Sequence, residues 1–132
     1  MGTWAKRNFS EIEPKGIGSV EARFSRKDLD SPELGVSRFT FGPGERFPFA
    51  HRHREQNESY VVVAGSGRMK LDGEIVELAP WDVLRVDPAV TRQIEAGLDG
   101  LDIICIGGRR PEGGDGERVE DFWVSVANGT PR

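Results

Sequence analysis

This chain of 132 residues has little of several things. It has one cysteine, Cys105, two histidines, one tyrosine and three tryptophans, and aromatic residues make up 8% of it. A single cysteine excludes an internal disulfide and fits a reducing compartment. No apolar run approaches the roughly 18 residues of a membrane-spanning helix. The first residues, "MGTWAKRNFSEIEPKG", lack the apolar core of a signal peptide, and Lys6 stands where a myristoylation signal would need Ser or Thr. A cytoplasmic location is therefore expected. There is no excess of positive charge: the net charge is -4 and the pI about 5.3. That argues against nucleic acid or an anionic membrane as partner. No phosphate loop, no Ser-His-Asp order and no Cys-x-x-Cys pair is present.

Glycine and proline are plentiful, at 17 and 8 residues. They fall in turn signals such as "DLDSPELG", "GPGE", "REQN", "AGSG", "LDGE", "APWD", "VDPA" and "GLDG", which recur every 8 to 12 residues from Val20 onward. The runs between them, among them "GVSRFTF", "ESYVVV", "RMKL", "EIVEL", "DVLRV", "TRQIEA" and "LDIICIG", are largely β-branched or aromatic at period two, the mark of strands. "LDGE" is the best hairpin signal, with Asp-Gly suited to a type I′ turn. Before residue 115 no segment keeps a helical period for three turns. Eight to ten short strands predict an all-β sandwich or barrel in one domain. Residues 1–17 read as an arm with a helical turn at "SEIE", about 18–108 as the barrel, and 109–132 as a tail whose "ERVEDFWVSVANGT" forms a short helix or strand.

Both histidines stand together in "FPFAHRHREQNESYVVVAGSG". On a strand, residues two apart share a face, so His51 and His53 project side by side. Glu58 is an odd number of residues further on and cannot share that face on an unbroken strand. The polar "REQN" between them turns the chain, so Glu58 opens the next strand and can point back at the imidazoles. Two imidazoles and a carboxylate form the ligand set of non-haem iron, and also suit Zn, Mn or Ni. Two solvated residues on an outer face would show the same His-x-His spacing. Ligation is favoured because the pair holds both histidines, a carboxylate follows at a turn-compatible distance, and "PGERFPFA" before it is partly apolar. Tyr60 and Val62 share Glu58's parity and are expected to line the same pocket, where Tyr60 could bond a ligand. Phe39, Phe41, Phe47 and Phe49 read as core or barrel rim, Trp81 as a surface or interface residue at a turn, Cys105 as a small buried hydrophobe, and the acidic residues of "PEGGDGERVED" as a solvated face.

The stretch "PGERFPFAHRHREQNESYVVVAGSG" resembles the first motif of the cupin superfamily, with Gly44, His51, His53, Glu58 and Gly65 in the motif's places and one extra residue between Gly44 and His51. "RMKLDGEIVELAPWDVLRVDPAVTRQI" continues in the manner of that family, and the likeness covers about residues 35–108. It implies a double-stranded β-helix (jelly-roll) barrel, usually a homodimer, with a divalent metal in the barrel mouth and no organic cofactor. The second motif departs from the pattern. Trp81 replaces a glycine, Asp87 and Ala89 replace the usual proline and glycine, Ala96 replaces an asparagine, and Arg92 stands where the family has its third histidine ligand. Arginine has no lone pair to give. Two readings stay open. In one, His51, His53 and Glu58 keep the metal of an oxygenase or isomerase-like enzyme, and Arg92 grips the charge of a small polar or anionic substrate by its two-pronged geometry. In the other the metal is lost, Arg92 pairs with Glu58, and the pocket binds or senses an anionic ligand. A divalent ion at ~5 Å from a guanidinium costs several kcal/mol at an effective dielectric of ~20, which a carboxylate and a bound anion can offset.

Overall fold

A computed structural model describes residues 2–124. It holds nine strands and one short 3-10 turn: β1 Lys15–Ile17, β2 Val20–Phe24, β3 Gly35–Phe41, β4 Ala50–His53, β5 Glu58–Leu71, β6 Glu74–Leu78, β7 Val83–Val86, β8 Arg92–Gly107 and β9 Gly116–Val119. All pairings are antiparallel, in the order β1-β2-β3-β8-β4-β9, with β5 joining β6, β7 and β8. The sheet curls on itself into the jelly-roll barrel. The helical turn lies at Phe9–Glu11, closed by a capping box in which Asn8 accepts from Ser10 N–H and Glu11 accepts from Asn8 N–H. Among the described residues no helix is long and apolar enough to cross a membrane.

The strands differ from the expected even series in two respects: β1 falls at the end of the segment expected as an arm and pairs with β2, and two expected pairs of strands are fused. "ESYVVV" and "RMKL" are one strand, β5, and "TRQIEA" and "LDIICIG" are one strand, β8. The glycine-rich "AGSG" and "GLDG" between them are bends inside continuous strands. β5 and β8 pair from Glu58↔Gly107 to Leu71↔Arg92, with register shifts at Val62/Ala64 and Gly65/Gly67. Gly65 has φ 83° there, and a Cβ on it would lie 2.2 Å from the Gly100 carbonyl oxygen. Only glycine permits that approach, so the ladder bends where a turn would end it. "LDGE" does close a two-residue hairpin, Leu71↔Glu74. The positive φ falls on Asp72 (51°) and not on Gly73, so the pair is not the type I′ turn that Asp-Gly suggests. Asp72 and Thr91 bond reciprocally across this end of the barrel.

The core contains Val20, Phe41, Tyr60, Val62, Met69, Leu78, Val86, Ile94, Leu101 and Ile103. Alternate residues of β5 point inward, which buries Tyr60 and Val62 on Glu58's face. Part of the tail is ordered against the barrel. β9 pairs along β4, and the segment after it packs on cations of the outer face: Lys70 donates to the Phe122 carbonyl at 2.6 Å, Arg46 to that of Trp123 at 2.6 Å, and Arg46 stacks 4.6 Å from the Trp123 ring. The expected helix or strand is thus the strand β9; the end of "ERVEDFWVSVANGT" lies outside the described residues.

Candidate functional site

The loop at 54–57 reverses the chain between β4 and β5, and the two strands bring His51, His53 and Glu58 together, with one ligand atom of each within 4.8 Å of the others. His51 Nε2 lies 3.6 Å and His53 Nε2 3.4 Å from Glu58 Oε1. The imidazole rings stand 5.1 Å apart and nearly perpendicular. Burial pushes the Glu58 carboxyl up, but the two imidazoles and the Arg92 guanidinium outweigh it and hold it far below the usual carboxylate range.

Arg92 opens β8 directly opposite His51 and is 1% exposed. Its donors are already directed at protein oxygens: Nη2 to Glu58 Oε1 at 2.9 Å, Nη1 to the carbonyls of Val90 (2.6 Å) and Pro88 (3.2 Å), and Nε to the Tyr60 hydroxyl at 3.5 Å. Tyr60 in turn donates to Glu58 Oε1 at 2.9 Å. Cys105 donates its thiol to Glu58 Oε2 at 3.3 Å. Burial first, then the Glu58 carboxylate, push that thiol well above its ordinary value, so it stays protonated.

The sequence reading missed Asp115. It was placed with the solvated acidic residues, yet its side chain is 3% exposed. One oxygen faces His53 Nδ1 at 2.9 Å, and the other accepts from the backbone N–H groups of Arg54, Glu55 and Gln56 at 3.1, 2.6 and 2.9 Å. Burial pushes its carboxyl up; the Glu55 and Gln56 amides and His53 more than reverse that, so it stays ionised and can only accept. His53 therefore donates from Nδ1, which turns Nε2 toward Glu58. The one available signal was the "GGDG" turn, which a strand pairing with β4 brings under the site.

His53 Nε2 is buried and has no hydrogen-bond partner among the described residues. It faces an ionised carboxylate oxygen, so a cation, either a proton or a metal, belongs between them. Burial lowers the basicity of His53, and Glu58 and Asp115 raise it by more. The donor set also suits a metal by charge. With both imidazoles neutral, as metal ligation requires, the two carboxylates, Glu58 and Asp115, and the one guanidinium, Arg92, leave a single net negative charge. A carboxylate on the far nitrogen of a histidine is the usual support of a metal-ligating imidazole.

The cluster opens on a cavity of about 320 Å³ walled by Phe24, Phe39, Phe47 and Phe49, with His51, Glu58 and Tyr60 among its lining. Phe39 and Phe49 each meet Phe47 edge to face, with centroids 6.0 and 5.0 Å apart.

The cupin domain family model matches residues 37–106. The chain belongs to the cupin family. Similar solved structures are a cupin protein from Bacteroides fragilis (27% identity, TM-score 0.70, 83% of this chain and 86% of that one) and a predicted oxalate decarboxylase from Thermotoga maritima (24%, TM-score 0.67, 77% and 96%). A nucleoside dehydratase from Streptomyces is similar in fold (19%, TM-score 0.74, 89% and 92%). No curated protein matches the chain. The cupin match ends before Asp115, so the partner of His53 comes from outside the matched residues.

Proposed function

We propose that this cupin holds one divalent transition metal (Fe, Zn, Mn or Ni) through His51, His53 and Glu58 and acts on a small molecule in the aromatic-walled pocket, as an oxygenase or isomerase-like enzyme. The observation that carries this reading is His53 Nε2: buried, partnerless, and turned toward Glu58 by Asp115. When bound, the metal supplies a Lewis acid with coordination positions left for substrate and water. The chain's own residues do the rest. Asp115 fixes the tautomer and ring plane of His53. Arg92 and Tyr60 hold Glu58 Oε1, and the Arg92 charge helps to keep it ionised. Phe24, Phe39, Phe47 and Phe49 exclude water and accept an apolar body. Arg92 bears on the substrate through Glu58, since its own donors are engaged.

A second reading, a metal-free binding or sensing pocket, has one observation behind it: Glu58 Oε1 already accepts from both Arg92 and Tyr60. Elemental analysis of untagged protein prepared without chelator decides between them, beside a His51→Ala, His53→Ala double variant. About one equivalent of metal in the parent and none in the variant supports the enzyme reading. No metal in the parent, even after reconstitution, overturns it.

A further inference from the structure

β9 lies against β4 with His51↔Arg118 and His53↔Gly116 directly opposite. Cross-strand partners share a face of the sheet. The tail therefore lays Arg118 beside His51, in the lining of the aromatic cavity. Its guanidinium stacks 3.9 Å from the centre of the Phe49 ring. Stacking occupies the flat face of a guanidinium and leaves the N–H groups in its plane available. Among the described residues no carboxylate pairs with Arg118; the neighbouring Glu117 turns to Arg52, 3.8 Å away. Arg118 thus differs from Arg92 in each respect that matters for a ligand: it is exposed, stacked and unpaired, whereas Arg92 is buried and engaged.

We propose that Arg118 is the substrate's anion anchor, and that the pocket takes a small aromatic or strongly apolar acid, with its ring among the phenylalanines and its carboxylate at the Arg118 edge. This rests on the metal-centre reading above, and electrostatics connects the two. A divalent ion in a cluster of net charge -1 leaves a positive site, and Arg118 adds a second positive charge beside walls of phenylalanine. Among the described residues no acidic side chain other than Glu58 and Glu117 lines the cavity, and on the metal-centre reading Glu58 is a ligand while Glu117 faces Arg52. The missing negative charge is supplied by the ligand. The substrate's charge is then read at the rim, by the tail, and its apolar body by the barrel.

The test compares phenylacetate with phenylacetamide, its uncharged counterpart, by calorimetric titration of the protein as purified, with metal content measured on every sample. The parent is expected to bind phenylacetate about tenfold more tightly than phenylacetamide, the size of one charge-assisted contact. In Arg118→Gln the acid falls to the affinity of the amide while the amide is unchanged, and Arg118→Lys retains part of the preference. Metal content should be the same in all three. If the preference persists in Arg118→Gln, the carboxylate sits elsewhere, on the metal for instance, and the anchor is wrong. If the parent binds neither compound, the assigned ligand class is wrong. A metal-free parent whose preference still follows Arg118 keeps the anchor and removes the metal reading; a metal-loaded parent with no such dependence does the reverse.

Discussion

Two carboxylates of this barrel, Glu58 and Glu95, are both held by arginine, and they are left in opposite states. Glu95 takes Arg46 through two nitrogens on one oxygen and Arg68 on the other, all within 2.9 Å, and the same arginines lie against Trp123. Both its oxygens are satisfied by formed bonds, and the result is a fastening for the tail. Glu58 is crowded on Oε1 by Arg92 and Tyr60, has only a thiol on Oε2, and faces two imidazole nitrogens at 3.4 and 3.6 Å without closing on either. The closed network is structural. The unclosed one, largely buried and charged, is where the proposed metal would bind.

Removing each arginine should separate the two most sharply. Arg92→Met leaves the Glu58 charge buried against fewer donors and is expected to cost roughly 3–5 kcal/mol of stability. Arg46→Met removes a side chain that is 22% exposed, where Arg92 is 1% exposed, and leaves Glu95 still paired with Arg68; it should cost less, about 1 kcal/mol. Urea denaturation of both checks this, and equal losses would erase the distinction. Asp115→Asn removes the carboxylate behind His53 and leaves all three proposed ligands in place. It should weaken metal binding by about 10–100-fold in a chelator competition, while Glu95→Gln leaves metal affinity unaltered. Glu95→Gln should instead show a pH signature. Burial raises the Glu95 pKa, but Arg68 and Arg46 lower it by more. A depressed carboxylate contributes stability that is present above its unfolded pKa of about 4.3 and fades as pH falls through the folded value. The stability gap between parent and variant, about 1 kcal/mol at pH 7, should therefore close below about pH 4. The smallest effect lies away from both networks. Trp81 has φ 72°, a left-handed conformation costly for any side chain, and is 72% exposed. Trp81→Gly should raise stability by about 0.5–1 kcal/mol, the relief of that conformation less the added freedom of glycine in the unfolded chain. A thermal melt that moves down would show that the exposed indole is packed in solution.

Much of this was legible in the residues. Period-two alternation gave the strands, and β3 and β6 fall on "GVSRFTF" and "EIVEL" residue for residue. His51, His53 and Glu58 could be placed together because strand parity and one polar turn fix their directions. Glycine misled, since a positive φ bends a continuous ladder at Gly65 as readily as it ends a strand elsewhere. Trp81 was legible only as a departure: the backbone there needs the conformation of the missing glycine, and the chain adopts it with tryptophan. Asp115 and Arg118 were not found, because the "GGDG" turn marks a bend in the chain but does not say that β9 runs beside β4. That pairing joins residues as far apart in sequence as Ala50 and Val119, and an acidic, glycine-rich stretch looks the same whether solvated or folded under a histidine.

The tail segment is a removable rim on a generic socket. The turn before β9 carries Asp115, the partner of His53, and β9 itself carries Arg118 at the cavity rim; the segment that follows is fastened by Lys70 to Phe122 and Arg46 to Trp123, contacts away from the pocket. On the proposed reading, reactivity and selectivity would then be set largely by this segment. A few residues exchanged after position 114 could retune this barrel for another molecule while every strand that builds it stays as it is.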